Sequence, residues 1–239
     1  MANHSLLTTI GNTPLIQLQR SITNPGVRIW AKLELAKPSG SLKDRIALHK
    51  IEAAQARGEL VPGMTIVEAT SGNTGIALGM VAAVKGYSLK LFMLENKTVE
   101  RRKMLRYWGS DLVLTTKDDP DSHIFSAQRL VADRPGEYFY INKNVNGDNI
   151  EAHKATSDEV TRELGAEIST CVAGFGTGGT LMGAAHHFTD QGLDVRVVAV
   201  EPGGQPRAKI DGLKHSSEAY QPLIYDRSLI NETVEVPED

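Results

Sequence analysis

Short apolar, β-branched runs alternate along this chain with helix-forming stretches. They are WAKLEL (30–35), TIVEA (65–69), SLKLFML (88–94), DLVLTT (111–116), EYFYI (137–141), TCVAGF (170–175) and VRVVAVE (195–201), with a further strand-like run, ETVEVPED, at 232–239. Short connections marked by Gly or Pro separate these runs from the helical segments. A parallel strand pair needs a crossover long enough to hold a helix, so the alternation predicts an α/β fold of parallel sheets covered on both faces. With 239 residues, 41% of them hydrophobic, the chain can bury a substantial core and divide into a large domain and a smaller inserted one.

Three of the connections are built from small and hydroxylated residues, and they carry the chemistry. The first is PSGSLKDR (38–45), which places Lys43 at the mouth of a helix. Ile46, Leu48, Ile51, Ala54 and Leu60 follow at roughly helical spacing, and Gly58 stops the run. The positive end of a helix dipole disfavours an ammonium and favours the free amine, the form that attacks a carbonyl in Schiff-base chemistry. A surface lysine beside a capping Ser41 is the alternative from this segment alone.

The second connection, TSGNTG (70–75), lies between the TIVEA strand and an alanine-rich helix that Gly86 ends. Its glycines admit close backbone approach, the first helical N–H groups point outward, and Thr70, Ser71, Asn73 and Thr74 add donors for a carboxylate or phosphate. The third, GTGGT (176–180), joins TCVAGF to the next helix and suits a phosphate dianion held by backbone N–H groups and the hydroxyls of Thr177 and Thr180. Gly174, Gly176 and Gly179 also satisfy GxGxxG, and Glu201 ends the following strand, so a nicotinamide dinucleotide is a rival for this loop. That rival leaves Lys43 and the TSGNTG loop without a task.

Taken in order, these segments resemble the fold-type II pyridoxal-phosphate enzymes, most closely the cysteine synthases of the O-acetylserine sulfhydrylase B type. The resemblance runs from IGNTPLIQL (10–18) through SGSLKDR, EATSGNTGIAL and VERRKMLRYWGSDLVL to VAGFGTGGTLMG (172–183), nearly the whole chain. It implies two three-layer domains of the tryptophan synthase β-like kind, each with a parallel sheet: a larger one from 1–40 and 147–239, and a smaller mobile one from 41–146. It implies pyridoxal 5'-phosphate bound to Lys43 as a Schiff base, Asn73 on the pyridoxal 3′-oxygen, and Gly176, Thr177, Gly178, Gly179 and Thr180 around the phosphate. Thr70, Ser71, Gly72 and Thr74 would hold the α-carboxylate of an amino acid. The implied reaction is a β-replacement: serine activated as an O-acetyl or O-phospho ester meets a sulfur donor and gives cysteine or an S-substituted cysteine. A homodimer acting on small molecules in the cytoplasm completes the expectation.

The chain departs from that pattern in places. Lys143 stands where the family has a glutamine that contacts the substrate carboxylate, followed by Asn144 and by Gly147 in place of an aromatic residue and a proline. Lys214 and His215 lie where some relatives place an arginine for an anionic partner, so Lys143 and Lys214 join the substrate-binding candidates and point to an anionic acceptor or donor. Relatives continue past position 239 with a serine loop for the pyridine nitrogen, so the C-terminal portion of the family fold is expected to be absent. The alternatives are a non-sulfur nucleophile in a specialised pathway, or a shortened, weakly active relative that works through a partner.

Composition narrows the remaining classes. A net charge of -3 without a long basic tract argues against nucleic acid, and no apolar run is long enough to span a bilayer. No charged start followed by an apolar run marks a secretory signal at the N-terminus. The single cysteine, Cys171, lies within an apolar strand and reads as a small buried hydrophobe. Seven scattered histidines offer no metal set; His186 and His187 are adjacent on a helix and point about 100° apart. His153 reads as a local hydrogen-bonding residue.

Overall fold

The structure, a computed structural model, describes residues 5–237 apart from 21, 71, 120, 143, 144, 205, 206, 209, 211 and 218–221. It opens on an antiparallel hairpin, β1 (Leu15–Leu18) and β2 (Ile29–Lys32), in register Leu15 to Lys32. The WAKLEL run is therefore a strand only as far as Lys32. Beyond it Glu34–Ala36 forms a 3-10 turn, because the Glu34 carboxylate is drawn inward by Thr13 Oγ1 (2.7 Å) and by the Arg45 guanidinium (2.9 Å).

α1 (Lys43–Ala56) follows and buries Ile46, Ala47, Ile51 and Ala54. Next come β3 (Thr65–Ala69), α2 (Asn73–Lys85), β4 (Ser88–Leu94), α3 (Val99–Tyr107), β5 (Asp111–Thr115), α4 (Ser122–Asp133) and β6 (Tyr138–Tyr140). These four strands form one parallel sheet in the order β5-β4-β3-β6. α2 is apolar nearly all round and sits between α1 and this sheet, with Ala77, Leu78, Met80 and Val81 wholly buried. Gly79 permits the packing: a Cβ there would lie 2.8 Å from Trp108 Cβ.

α5 (Asp148–Leu164) leads to a second parallel sheet, β7 (Thr170–Gly174), β8 (Arg196–Pro202) and β9 (Glu232–Val236), with α6 (Gly179–Asp190) crossing between the first two. Phe175, Leu181, Met182, Phe188, Val197 and Ala199 make its core. α5 and α6 meet at Gly183, where a Cβ would fall 2.6 Å from His153 Cβ and 2.9 Å from the Ile150 carbonyl oxygen. Both sheets are parallel, as the alternation of the sequence predicts, but the expected cover on both faces holds only for the first, between α2 and α4; in the second, α6 covers one face and β7 turns Val172, 61% exposed, to the other.

An ionic cluster fastens these parts together. Arg45, in the first turn of α1 and 6% exposed, donates through Nη1 to Glu159 Oε1 (2.6 Å) and through Nη2 to Glu159 Oε2 (2.7 Å) on α5, while its Nε reaches Glu34 Oε2 (2.9 Å). Lys32 pairs with Glu159 at 3.0 Å, and Lys37 pairs with Glu34. Burial pushes the Glu159 carboxyl up, but hydrogen bonds from Arg45, the Asn12 N–H and Lys32 outweigh it and hold the group down at about 2. The stability Glu159 contributes is thus complete above the usual glutamate value of 4.5 and is lost as pH falls through about 2.

Replacing Arg45 with Met leaves two carboxylates short of their main partner and should lower the unfolding free energy by about 3–5 kcal/mol, read as a shift in urea midpoint at neutral pH. Glu159→Gln should flatten the decline in stability between pH 4.5 and 2; an acid limb identical to the wild type would contradict the assignment.

Candidate active site

The first sheet reverses its strand order between β3 and β6. From β3 the chain moves outward to β4 and β5, then returns to lay β6 on the other side of β3. The crevice outside the carboxyl ends of β3 and β6 is therefore a topological switch point, the place where open parallel sheets bind ligands. The TSGNTG loop leaves β3 at this point. Thr70 is buried and its Oγ1 accepts from the Gly72 N–H at 3.4 Å. Gly72 sits at the N-cap of α2 with no side-chain cap, so the first N–H groups of the helix are left for a ligand. Asn73 is exposed at the head of α2, and Thr74 is buried in its first turn. Ser71 and Lys143 lie outside the described residues.

The second sheet supplies the other loop. Between β7 and α6, each of three glycines meets a different neighbour. A Cβ on Gly176 would lie 2.4 Å from the Gly212 carbonyl oxygen, one on Gly178 2.9 Å from Tyr225 Cδ2, and one on Gly179 2.2 Å from Asn149 Oδ1. Gly178, at φ +84°, is also in the left-handed region, and as N-cap it brings no side chain to the start of α6. The hydroxyls are placed by α5: Thr177 Oγ1 accepts from Asn149 Nδ2 at 3.0 Å, and Thr180 Oγ1 lies 3.4 Å from His153 Nε2. This cradle of glycines, two fixed hydroxyls and a bare helix N-terminus has the donor set of an anion site.

Lys43 is the first residue of α1, half-buried, with its N–H donating to Ser41 Oγ at 3.3 Å. His153, on α5, stands beside the glycine loop through Thr180. That imidazole, 2% exposed, is held well below its ordinary range first by burial and then by the positive charges of Lys43, Arg45 and Lys37. At neutral pH it is uncharged, so it fixes Thr180 without adding a cation. Lys37 is itself lowered to about 7, by burial and by Arg45, against the pull of Asp44 and Glu159.

Other candidates fall elsewhere. Lys214 is half-buried, and its backbone N–H donates to the Phe175 carbonyl at 2.8 Å, which sets it beside the start of the glycine loop. His215 does not add positive potential to an open cleft: its ring is buried, 3.2 Å from Glu235 Oε1 and 3.7 Å from Glu201 Oε2. Glu201 is 1% exposed, and its Oε2 accepts from the N–H and hydroxyl of Ser216, both at 2.9 Å, so it is not presented to a ribose. Burial raises the Cys171 thiol to about 11, which keeps it protonated. Among the described residues no group of His, Cys, Asp or Glu is arranged to hold a metal ion.

Sequence reading missed Asn149 and Tyr225. Both reach the loop from distant segments, and the only local trace of them is the run of glycines that makes room for them.

The pattern of the pyridoxal-phosphate dependent enzyme family matches residues 6–238. The chain belongs to this family. A member, cysteine synthase B of Escherichia coli K12, is 40% identical over 233 residues, covering 97% of this chain and 76% of the relative. Among solved structures, the cysteine synthase of Entamoeba histolytica superposes with a TM-score of 0.92 at 33% identity, over 99% of this chain and 73% of that one. An O-ureido-L-serine synthase superposes with a TM-score of 0.91 at 36% identity, over 100% and 77%. For a member of the pyridoxal-phosphate dependent family the residues present fit the cofactor, since the glycine cradle and the lysine at a helix start are the donor set that a phosphate and an aldehyde require.

Gly176→Ala drives a methyl group against a backbone carbonyl and should weaken pyridoxal 5'-phosphate binding by at least about tenfold in a fluorescence titration, since overpacking of this kind costs about 1–3 kcal/mol. Unchanged affinity would show that the loop does not hold the phosphate.

Proposed function

We propose that this protein is a cysteine synthase-like β-replacement enzyme that uses pyridoxal 5'-phosphate. The observation that carries the reading is the glycine cradle at residues 176–180, walled by Gly212, Tyr225 and Asn149, together with a lysine, Lys43, at the first position of α1. In this reading Lys43, Asn73 and residues 176–180 hold the cofactor, and Thr70, Ser71, Gly72 and Thr74 receive the substrate α-carboxylate. Bound there, pyridoxal phosphate supplies an electron sink for the substrate α-carbon.

The chain's own residues do the rest. Lys43, as a free amine at a helix N-terminus, takes the α-proton; the ester group leaves the β-carbon as acetate or phosphate; the sulfur nucleophile forms its bond to that carbon; and Lys43 returns the proton. The net change is an O-acylated or O-phosphorylated L-serine plus a sulfur donor to L-cysteine plus the released anion. Lys214 and Lys143 serve the anionic partner, a role supported for Lys214 by its place beside the glycine loop.

The domain reading, 1–40 with 147–239 and 41–146, is supported by the two separate parallel sheets. No helix among the described residues is long and apolar enough to cross a membrane. We place the enzyme in the cytoplasm as a homodimer; exposed Ile16 and Ile29, on one face of the β1–β2 hairpin, give a second copy an apolar surface to cover. The likeness to an O-ureido-L-serine synthase favours a second reading, a non-sulfur nucleophile at the same site.

Mass-spectrometric product analysis with O-acetyl-L-serine or O-phospho-L-serine and sulfide should detect cysteine from the wild type. Lys43→Ala should reduce the rate by at least about 10³-fold, since it removes both the attachment point and the base. Lys214→Ala should raise KM for the phosphorylated substrate more than for the acetylated one. Cysteine formation that survives loss of Lys43 would overturn the assignment, and turnover with a hydroxyl nucleophile alone would move it to the second reading.

A further inference from the structure

A stripe of cations runs along α1 at seven-residue spacing: Lys43, Lys50 and, immediately past the helix, Arg57. Residues seven apart on an α-helix lie about 20° apart around the axis and roughly 10.5 Å apart along it, so the three share one face. Lys43 has its place in the proposed chemistry. Lys50 and Arg57 both face the connector that runs from β6 into α5. Arg57 grips Asp148 with two parallel bonds, Nη1 to Oδ1 at 3.0 Å and Nη2 to Oδ2 at 2.8 Å.

Lys50 is the unusual member, because it is only 1% exposed. Its Nζ donates to the carbonyl oxygens of Ile141 (3.3 Å) and Asn142 (3.4 Å), the first two residues after β6. A buried ammonium is costly unless it meets acceptors, and it then forms charge-assisted hydrogen bonds. The acceptor side is a special turn. Asn142 has φ +49°, in the left-handed region a non-glycine residue seldom occupies, and its carbonyl also accepts from the N–H groups of Val145 (3.2 Å) and Asn146 (3.3 Å). Asn142 lies past the carboxyl end of β6, one wall of the switch-point crevice, and Val145 and Asn146, which bond back to it, stand just before the helix that carries Asn149 and His153.

We propose that Lys50 is a positioning residue for the substrate side of the site. Its buried ammonium holds the turn after β6 against the face of α1 that carries Lys43, which sets the width of the crevice opposite the TSGNTG loop. The assignment of that crevice to the amino acid rests on the function proposed above.

The test uses the protein loaded with pyridoxal 5'-phosphate and two variants: Lys50→Met, which fills the space without the donors, and Lys50→Arg, which keeps a cation. Amide hydrogen exchange in Lys50→Met should quicken by at least about tenfold at residues 141, 142 and 145–147, with residues 176–180 and cofactor affinity unchanged. KM for the activated serine should rise by about tenfold with kcat within about threefold of the wild type, and Lys50→Arg should recover most of both effects. Uniform quickening throughout α1, failure of Lys50→Met to fold, or an Arg variant no better than Met would overturn the proposal by making Lys50 a core residue only. Should the wild type turn over no activated serine, the kinetic arm falls with the proposed function, and the exchange arm still decides for Lys50.

Discussion

The buried clamp of Arg45 on Glu159 and Glu34 is the interaction on which the remaining geometry depends. Arg45 stands two residues beyond Lys43, so whatever fixes its guanidinium also fixes the first turn of α1. Its partners come from α5 and from the segment after β2, which the linear chain separates widely. Taking these charges out of water is costly, and an apolar set of the same volume could be equally stable. The two carboxylates instead give α1 one defined rotation and one defined depth. That directional constraint is what a lysine at a helix start requires if it is to meet a loop from the other sheet.

The second constraint is steric. Gly176, Gly178 and Gly179 are each pressed by a different neighbour, Gly212, Tyr225 and Asn149, so the loop after β7 is enclosed by other parts of the chain as well as flexible in its own φ/ψ space. Close packing in place of side chains leaves the start of α6 without a side-chain cap, so its first N–H groups are left for a phosphate. His153 joins the two constraints. Its burial, with the positive charges of Lys43, Arg45 and Lys37 acting in the same direction, keeps it neutral, so its contact with Thr180 adds order without charge.

Local signals in the sequence are enough for the parallel α/β frame and for the three small-residue loops, since each depends on the order strand, loop, helix within a short span. Long-range relations are not legible. WAKLEL reads as one extended run from Trp30 to Leu35 only until Glu34 is claimed by Arg45, and nothing near residue 34 announces that contact. The sequence suggests that His215 lends positive charge beside Lys214, yet Glu201 and Glu235, reached only when β8 and β9 pair, turn its ring inward. Asn149 and Tyr225 escape a sequence reading because buried polar contacts leave no periodic pattern. The cations at 43, 50 and 57 stand in the sequence as a heptad, but their common purpose depends on a turn 91 residues away from Lys50 in the chain.

The central claim is that Lys43 is the attachment point of pyridoxal 5'-phosphate. Borohydride reduction of the loaded protein, followed by proteolysis and peptide mass mapping, tests it most directly. The account predicts one reduced adduct, on the peptide that contains Lys43. An adduct confined to another lysine, Lys37 or Lys50 included, or no covalent adduct at all, would contradict it.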